Sequence, residues 1–269
     1  MKNSFSPLIL IILLMFFFQC DSTNNPRSEV PLKEYLVQSV LWQQNAAEYR
    51  ALAYQSYLLA RHQLNAILAE KKTSDGKLAV VTDIDETVLD NSAFDAKLIE
   101  SDLPFSNERW LQWGELCIAD TVPGALAFFK YAASKNVEIF YISNRSVEQL
   151  QATIKNLKKF GFPQADKTHV LLKEETSDKE PRRQQVLRTH TITLLLGDNL
   201  TDFSSLFNKQ SSVRRNALVD SLRSAFGTRF IVFPNPMYGD WETQGIYEGR
   251  YDWTKSQMDS LRHSKLNAY

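Results

Sequence analysis

The chain has 269 residues, 43% of them hydrophobic and 23% charged, which are ordinary proportions for one folded domain with or without a cap. Its 31 Lys and Arg balance 31 Asp and Glu, which excludes the basic surface that a nucleic-acid polymer or an anionic membrane face would call for. The four histidines, His62, His169, His190 and His263, are scattered, with neither the spacing of a zinc site nor that of a histidine-nucleophile motif.

At the N-terminus, Lys2 is the only charge in the first twenty residues, and Leu8 to Phe18 form an unbroken apolar run ending at Gln19-Cys20. Eleven apolar residues fall short of the roughly 20 that a spanning helix needs, so residues 1–19 read as an export signal. A cysteine directly after such a run resembles a bacterial lipoprotein signal, with Cys20 as the lipidation site. The residues before it, Phe17-Phe18-Gln19, depart from the usual small-residue pattern, and a soluble secreted chain or an uncleaved anchor stays open. Residues 20–29 are polar and read as a lipidated tether. With Cys20 modified, Cys117 has no partner for a disulfide, and its apolar neighbours mark it as a small buried hydrophobe. Pro123 stands where a thiolate phosphate loop built on Cys117 would need an Arg.

From Leu32 to Lys71 there is no Gly or Pro, and apolar residues recur at helical spacing, which predicts one long helix or a helical pair, broken at Thr73-Ser74-Asp75-Gly76. Strands are expected at Leu78–Val81, Val137–Ile142, His169–Leu172, Thr191–Leu196 and Arg229–Phe233. Helical composition separates them at Gly124–Ser134, Val147–Phe160, Pro181–Thr189 and Asn216–Phe226. Apolar strands alternating with helices predict a parallel α/β sheet covered on both faces, with chemistry at the carboxyl ends of the strands.

Those ends carry the informative residues. Asp83 and Asp85, two apart in Asp83-Ile84-Asp85-Glu86-Thr87, follow the first strand, and extended periodicity puts both on one side. Two carboxylates so close are costly unless one is protonated or a cation lies between them. That suits a carboxylate nucleophile beside a carboxylic acid; a solvated pair capping the next helix is the plainer alternative. Ser143-Asn144-Arg145 follows the second strand, and Gly197-Asp198-Asn199-Leu200-Thr201-Asp202-Phe203 follows the fourth. Carboxylates from separate strands make a hard-cation site that suits Mg²⁺. Lys173 and Lys179 both precede the fourth strand.

In this order, the Asp-x-Asp-x-Thr motif, strand-end Ser, Lys and Gly-Asp-x-x-x-Asp motif resemble those of the haloacid dehalogenase-like hydrolases. The pairing of Asp83–Leu89 with Gly197–Phe203 looks like the signature of class C acid phosphatases, bacterial and often lipid-anchored enzymes. The resemblance extends to Val122-Pro123-Gly124 and to Pro234–Glu242, and covers essentially residues 30–250. Family members usually carry Tyr where this chain has Phe94.

The resemblance implies a Rossmann-like three-layer sheet in the order 5-4-1-2-3 with a helical cap built from about 30–72, 93–122 and 235–260, followed by a C-terminal tail, 251–269. It implies Mg²⁺-dependent hydrolysis of phosphomonoesters, nucleoside monophosphates and aryl phosphates included. Asp83 would be the nucleophile and Asp85 the acid and base. Asp83, Asp85 through its carbonyl, Asp198 and Asp202 would form the metal shell. Ser143 and Lys179 would hold the phosphoryl group, with Lys173 as the alternative lysine. Substrate contacts would come from Thr87, Asn144, Arg145, Phe94, Trp110, Trp113 and Tyr238, although the rings could equally pack the cap's own core. The expected partners are a small phosphomonoester and, through the lipid on Cys20, a bacterial envelope membrane, most naturally the outer one. No nucleic-acid polymer is expected, and a homodimer is left open. A surface lipoprotein that binds without turnover and a phosphotransferase are the competing functions.

Overall fold

The computed structural model describes residues 31–70 and 76–269. The export signal, Cys20, the tether and the expected break at Thr73-Ser74-Asp75 lie outside the described residues.

Five parallel strands form the main sheet: β1 (Lys77–Thr82), β4 (Glu138–Ser146), β5 (Val170–Lys173), β6 (His190–Gly197) and β7 (Phe230–Val232), in the order β5-β4-β1-β6-β7. Counted among these five alone, that is the expected order. Two short strands, β2 (Leu89–Asp90) and β3 (Asp120–Thr121), pair antiparallel above it. The pleat explains why the strands are apolar throughout. Leu78, Val80, Ile139 and Tyr141 enter one core layer, while Ala79, Val81, Phe140 and Ile142 enter the other.

The first layer is covered by α2 (Ala47–Glu70), α5 (Ala125–Ser134) and α6 (Leu150–Phe160). The predicted helical stretch is a pair: Ala46, in extended conformation, separates α1 (Val37–Asn45) from α2. Gly124 starts α5 at φ +93°, and a side chain there would press on the rings of Tyr57 and Tyr54, so both backbone and space require glycine. The second layer is covered by α7 (Glu180–Leu187), which begins with Pro181 in its first turn, and by Phe203 beyond β6.

Above the carboxyl ends of the strands stand α1, α3 (Ser92–Glu100), α4 (Asn107–Leu116) and the chain after β7, including α9 (Asp240–Thr243) and α10 (Lys255–Ser264). Three expectations change. Residues 30–72 do not belong to the cap as a block: α1 packs on α3, but α2 buries Ala53, Tyr57, Ala60 and Leu64 in the sheet core. The tail 251–269 is not plain, because Thr254 and Gln257 close a capping box that starts α10. The helix before β7, α8, runs Ser212–Ser221 rather than 216–226, since Ser211 caps a start four residues earlier than composition suggests.

Candidate active site

Parallel register brings the ends of β1, β4 and β6 together: Thr82 pairs with Tyr141 on one side and Leu196 on the other. The chain leaving β1 therefore places Asp83 between the two neighbouring loops, with its N–H donating to the Leu196 carbonyl at 2.9 Å. Beyond Asp83 the backbone reverses tightly, Val88 and Leu89 both donating to the Ile84 carbonyl and Glu86 lying at φ +59°. The reversal aims Asp83 and Asp85 into one cavity of about 760 Å³.

Asp198 and Asp202 join Asp83 from the β6 end, and one carboxylate oxygen of each lies within 4.8 Å of the others. Local structure fixes both. The Asp202 carboxylate closes a capping box by accepting the Asn199 N–H at 2.9 Å. A Cβ on Gly197 would fall 2.3 Å from an Asp202 oxygen, so the strand must end in glycine for that carboxylate to fold over it. Asp198 accepts from the Asn235 side chain at 2.8 Å, and Asn235 is itself held by the N–H groups of Met237 and Tyr238.

Lys179, the residue before α7, is buried and pairs with both Asp83 and Asp202, the latter at 2.6 Å. Burial works against its ammonium, but Asp202 and Asp83 outweigh that and raise its pKa. Burial pushes Asp83 up to about 7; Lys179 opposes the rise, while the charges of Asp202 and Asp85 add to it. Burial, then Asp202 and Asp83, push Asp198 well above the usual carboxylate range. Two buried carboxylates and the half-buried Asp198 gather around one ammonium, an excess of negative charge that a divalent cation with oxygen ligands would balance.

Asp85 faces the β4 end. It accepts from Ser143 Oγ at 3.0 Å and Asn91 Nδ2 at 2.9 Å, and pairs with Arg145 at 2.7 Å. Arg145 also donates to Asn91 Oδ1, which accepts from Trp113 Nε1 at 2.8 Å. Glu86, fully buried, accepts the Asn91 N–H and the Tyr238 hydroxyl. Arg182 reaches from α7 to the Ser143 carbonyl at 2.5 Å and the Asn144 side chain at 2.7 Å, tying that loop down.

Of the residues singled out in sequence, Asp83, Asp85, Asn144, Arg145, Lys179, Asp198 and Asp202 border the cavity, as do Phe94, Trp110 and Tyr238. Three placements differ from expectation, and one alternative drops out. Thr87 is fully buried, with its carbonyl accepting from Tyr57, and Trp113 is turned onto Asn91; neither borders the cavity as a substrate contact would. Ser143 is also fully buried, its hydroxyl spent on Asp85. Lys173 ends β5 outside the cavity, which leaves Lys179 as the lysine on Asp83. Sequence reasoning missed Asn91, Glu86, Asn235 and Arg182. Glu86 lies inside the first acidic motif, Asn91 a few residues beyond it and Asn235 inside another quoted motif, but nothing local marks any of the four as a partner.

The family model described as HAD superfamily, subfamily IIIB (acid phosphatase) matches residues 20–241. Two solved structures of the class C acid phosphatase from Bacillus anthracis, one of them with tungstate bound, superpose with a TM-score of 0.85. Each is 42% identical over 89% of this chain and 100% of that one.

Proposed function

The chain belongs to the acid phosphatases of HAD subfamily IIIB, class C phosphomonoesterases, and from that membership we propose that it hydrolyses phosphomonoesters through a phosphoaspartyl intermediate on Asp83. The observation that carries the reading is Asp83 held by Lys179 and grouped with Asp198 and Asp202 at the floor of a cavity wide enough for a small organic phosphate. That the Bacillus anthracis enzyme has a structure with tungstate bound, a tetrahedral oxyanion like phosphate, supports a phosphate-binding reading.

Asp83 attacks phosphorus in line. Its Oδ–P bond forms as the bond to the leaving oxygen breaks, and Asp85 supplies the proton that the leaving oxygen takes up. Water then attacks the phosphoaspartate, Asp85 takes a proton from it, and the Asp83–phosphorus bond breaks to release phosphate. Lys179 holds a phosphoryl oxygen and offsets the charge of Asp83 in the first step. For Asp85 to exchange protons its pair with Arg145 must open, and an arriving phosphate is the competing anion that draws Arg145 away. Ser143 orients Asp85 at rest and turns to a phosphoryl oxygen once Asp85 moves. Asp83, the Asp85 carbonyl and Asp198 would hold a Mg²⁺, supported by Asp202, and the ion would neutralise charge developing on the phosphoryl oxygens. Asn144, Arg145, Phe94, Trp110 and Tyr238 would meet the leaving group, with nucleoside monophosphates and aryl phosphates among the substrates.

Export and lipidation at Cys20 belong to the same reading. They rest on the apolar run Leu8–Phe18 directly before the cysteine, and they place the enzyme on a bacterial envelope membrane. Hydrolysis of an aryl phosphate by the purified chain, with and without Mg²⁺, tests the catalytic part. A fatty-acid probe that labels the chain but not Cys20→Ala tests the anchor.

A further inference from the structure

The cavity is also bordered by two carboxylates that the reaction does not use. Asp95 lies in the first turn of α3, 8% exposed and bordering the cavity, and its carboxylate accepts no hydrogen bond among the described residues. A negative charge suits the first turn of a helix, yet no backbone N–H reaches this one. Glu242, on α9, also borders the cavity and accepts from the phenols of Tyr35 and Tyr247. Lys33 is the cation that faces both carboxylates, and it forms no ion pair with either. Lys33 thus serves both acids, Arg262 acts on Glu242 alone, and the cavity they border is also lined by aromatic rings such as Phe94, Phe105 and Trp110.

A buried carboxylate without a partner is costly, and a purely structural position would be served as well by Asn. An acceptor left open inside a substrate cavity marks a place where the ligand brings the donor. Aromatic rings in the same cavity favour a cation that arrives partly desolvated. We propose that Asp95, with Glu242, forms a recognition subsite for an ammonium carried on the leaving group of the phosphomonoester. The subsite rests on the phosphatase reading above and adds the substrate class: phosphate esters of amino alcohols and similar amine-bearing alcohols.

Burial, opposed by Lys33 and helped by Glu242 and Asp90, pushes the empty Asp95 up to about 7. An ammonium therefore displaces a proton below that pH, and selectivity for amines grows as pH rises through it.

The test compares ω-aminoalkyl phosphates of increasing chain length with alkyl phosphates that carry a methyl in place of the ammonium. The matching phosphonates, which are not hydrolysed, are titrated by calorimetry. A charged hydrogen bond made in such a site favours the amine by about tenfold or more in kcat/KM and in affinity, at one preferred chain length. Asp95→Asn brings that ratio to within about twofold of unity, and Glu242→Gln lowers it by a smaller factor and serves if Asp95→Asn fails to fold. Absence of any amine preference at every chain length overturns the subsite, as does a preference that survives both substitutions. Failure to hydrolyse an aryl phosphate with Mg²⁺ present would instead strike the phosphatase reading, because the phosphonate titration reads the subsite without turnover.

Discussion

The floor of the cavity and the wall that carries Asp95 are built by opposite means. At the floor, the Asp83, Asp85, Asp198 and Asp202 side chains each meet a fixed donor: Lys179, Arg145, Asn235, or the backbone N–H of Asn199. The elements that hold them are the ends of central strands and the first turn of α7. At the wall, Asp95 meets no donor among the described residues, Phe94 packs against Phe105 and Trp110, and the elements are short helices from three distant parts of the chain. A floor whose dipoles and charges are already in place costs no reorganisation during the reaction, which is what phosphoryl transfer needs. A wall with an open acceptor and apolar rings discriminates between leaving groups. Substitutions at the floor should therefore change rates for every substrate, and substitutions at the wall should change the ranking of substrates.

The sharpest break comes at Asp83. Asp83→Asn removes the nucleophile while keeping shape, and turnover should fall on the order of 10⁴-fold or more for every ester, with no phosphoenzyme trapped on acid quench. A phosphorylated Asp83→Asn chain would end the floor's assigned role. Next in size is the metal: excess chelator should abolish turnover and Mg²⁺ restore it. Asp198→Asn, which weakens one oxygen ligand, should raise the Mg²⁺ needed for half-maximal activity by about 10–100-fold or more. Full activity in excess chelator would remove the cation from the floor.

Asp85 is the one floor residue whose loss should also reorder substrates, through the acidity of the leaving group rather than through its recognition. Asp85→Asn removes a transferable proton but keeps the backbone carbonyl. A ribose alkoxide is a poor leaving group and needs that proton; a nitrophenolate does not. In rapid single-turnover experiments phosphoenzyme formation should slow on the order of 10²–10⁴-fold for a nucleoside 5′-monophosphate and far less for the aryl ester. Equal slowing of both would show that Asp85 acts on something other than the leaving oxygen.

The floor was largely legible in the sequence because its residues sit in two short motifs at predictable strand ends, and strand ends in parallel sheets converge. What the motifs could not supply was direction. Lys179 rather than Lys173 reaches Asp83 because the helix start at Glu180-Pro181 turns Lys179 inward, a matter of three-dimensional placement that spacing alone leaves undecided. Ser143 and Thr87 were located but not oriented, and both proved fully buried. The wall was nearly illegible. Asp95 and Glu242 belong to no common motif, and only the return of the chain after β7 brings them to one cavity. The helix Lys255–Ser264 did leave a local sign, the spacing of Thr254 and Gln257, which is a helix-start signature.

The smallest expected effect concerns stability and belongs to the wall alone. Burial, together with Glu242 and Asp90, raises Asp95 to about 7 in the folded chain despite Lys33, against an ordinary value of 3.8. An acid raised on folding binds its proton more tightly in the native state, so its contribution to stability is fully present below the unfolded value. That contribution is lost as pH rises through the folded one. Each pKa unit corresponds to about 1.4 kcal/mol, so a few kcal/mol at most is at stake for this residue. Asn cannot ionise, and Asp95→Asn should escape the loss. The two chains should melt at similar temperatures near pH 4, and the variant should gain an advantage of several degrees as pH approaches 8. The measurement is a pair of melting curves across that range without ligand, because an ammonium in the subsite would stabilise the Asp95 carboxylate and shrink the difference. A constant offset between the two chains at all pH values would mean that Asp95 is not buried as a lone acid, and the contrast between an occupied floor and an open wall would lose its main support.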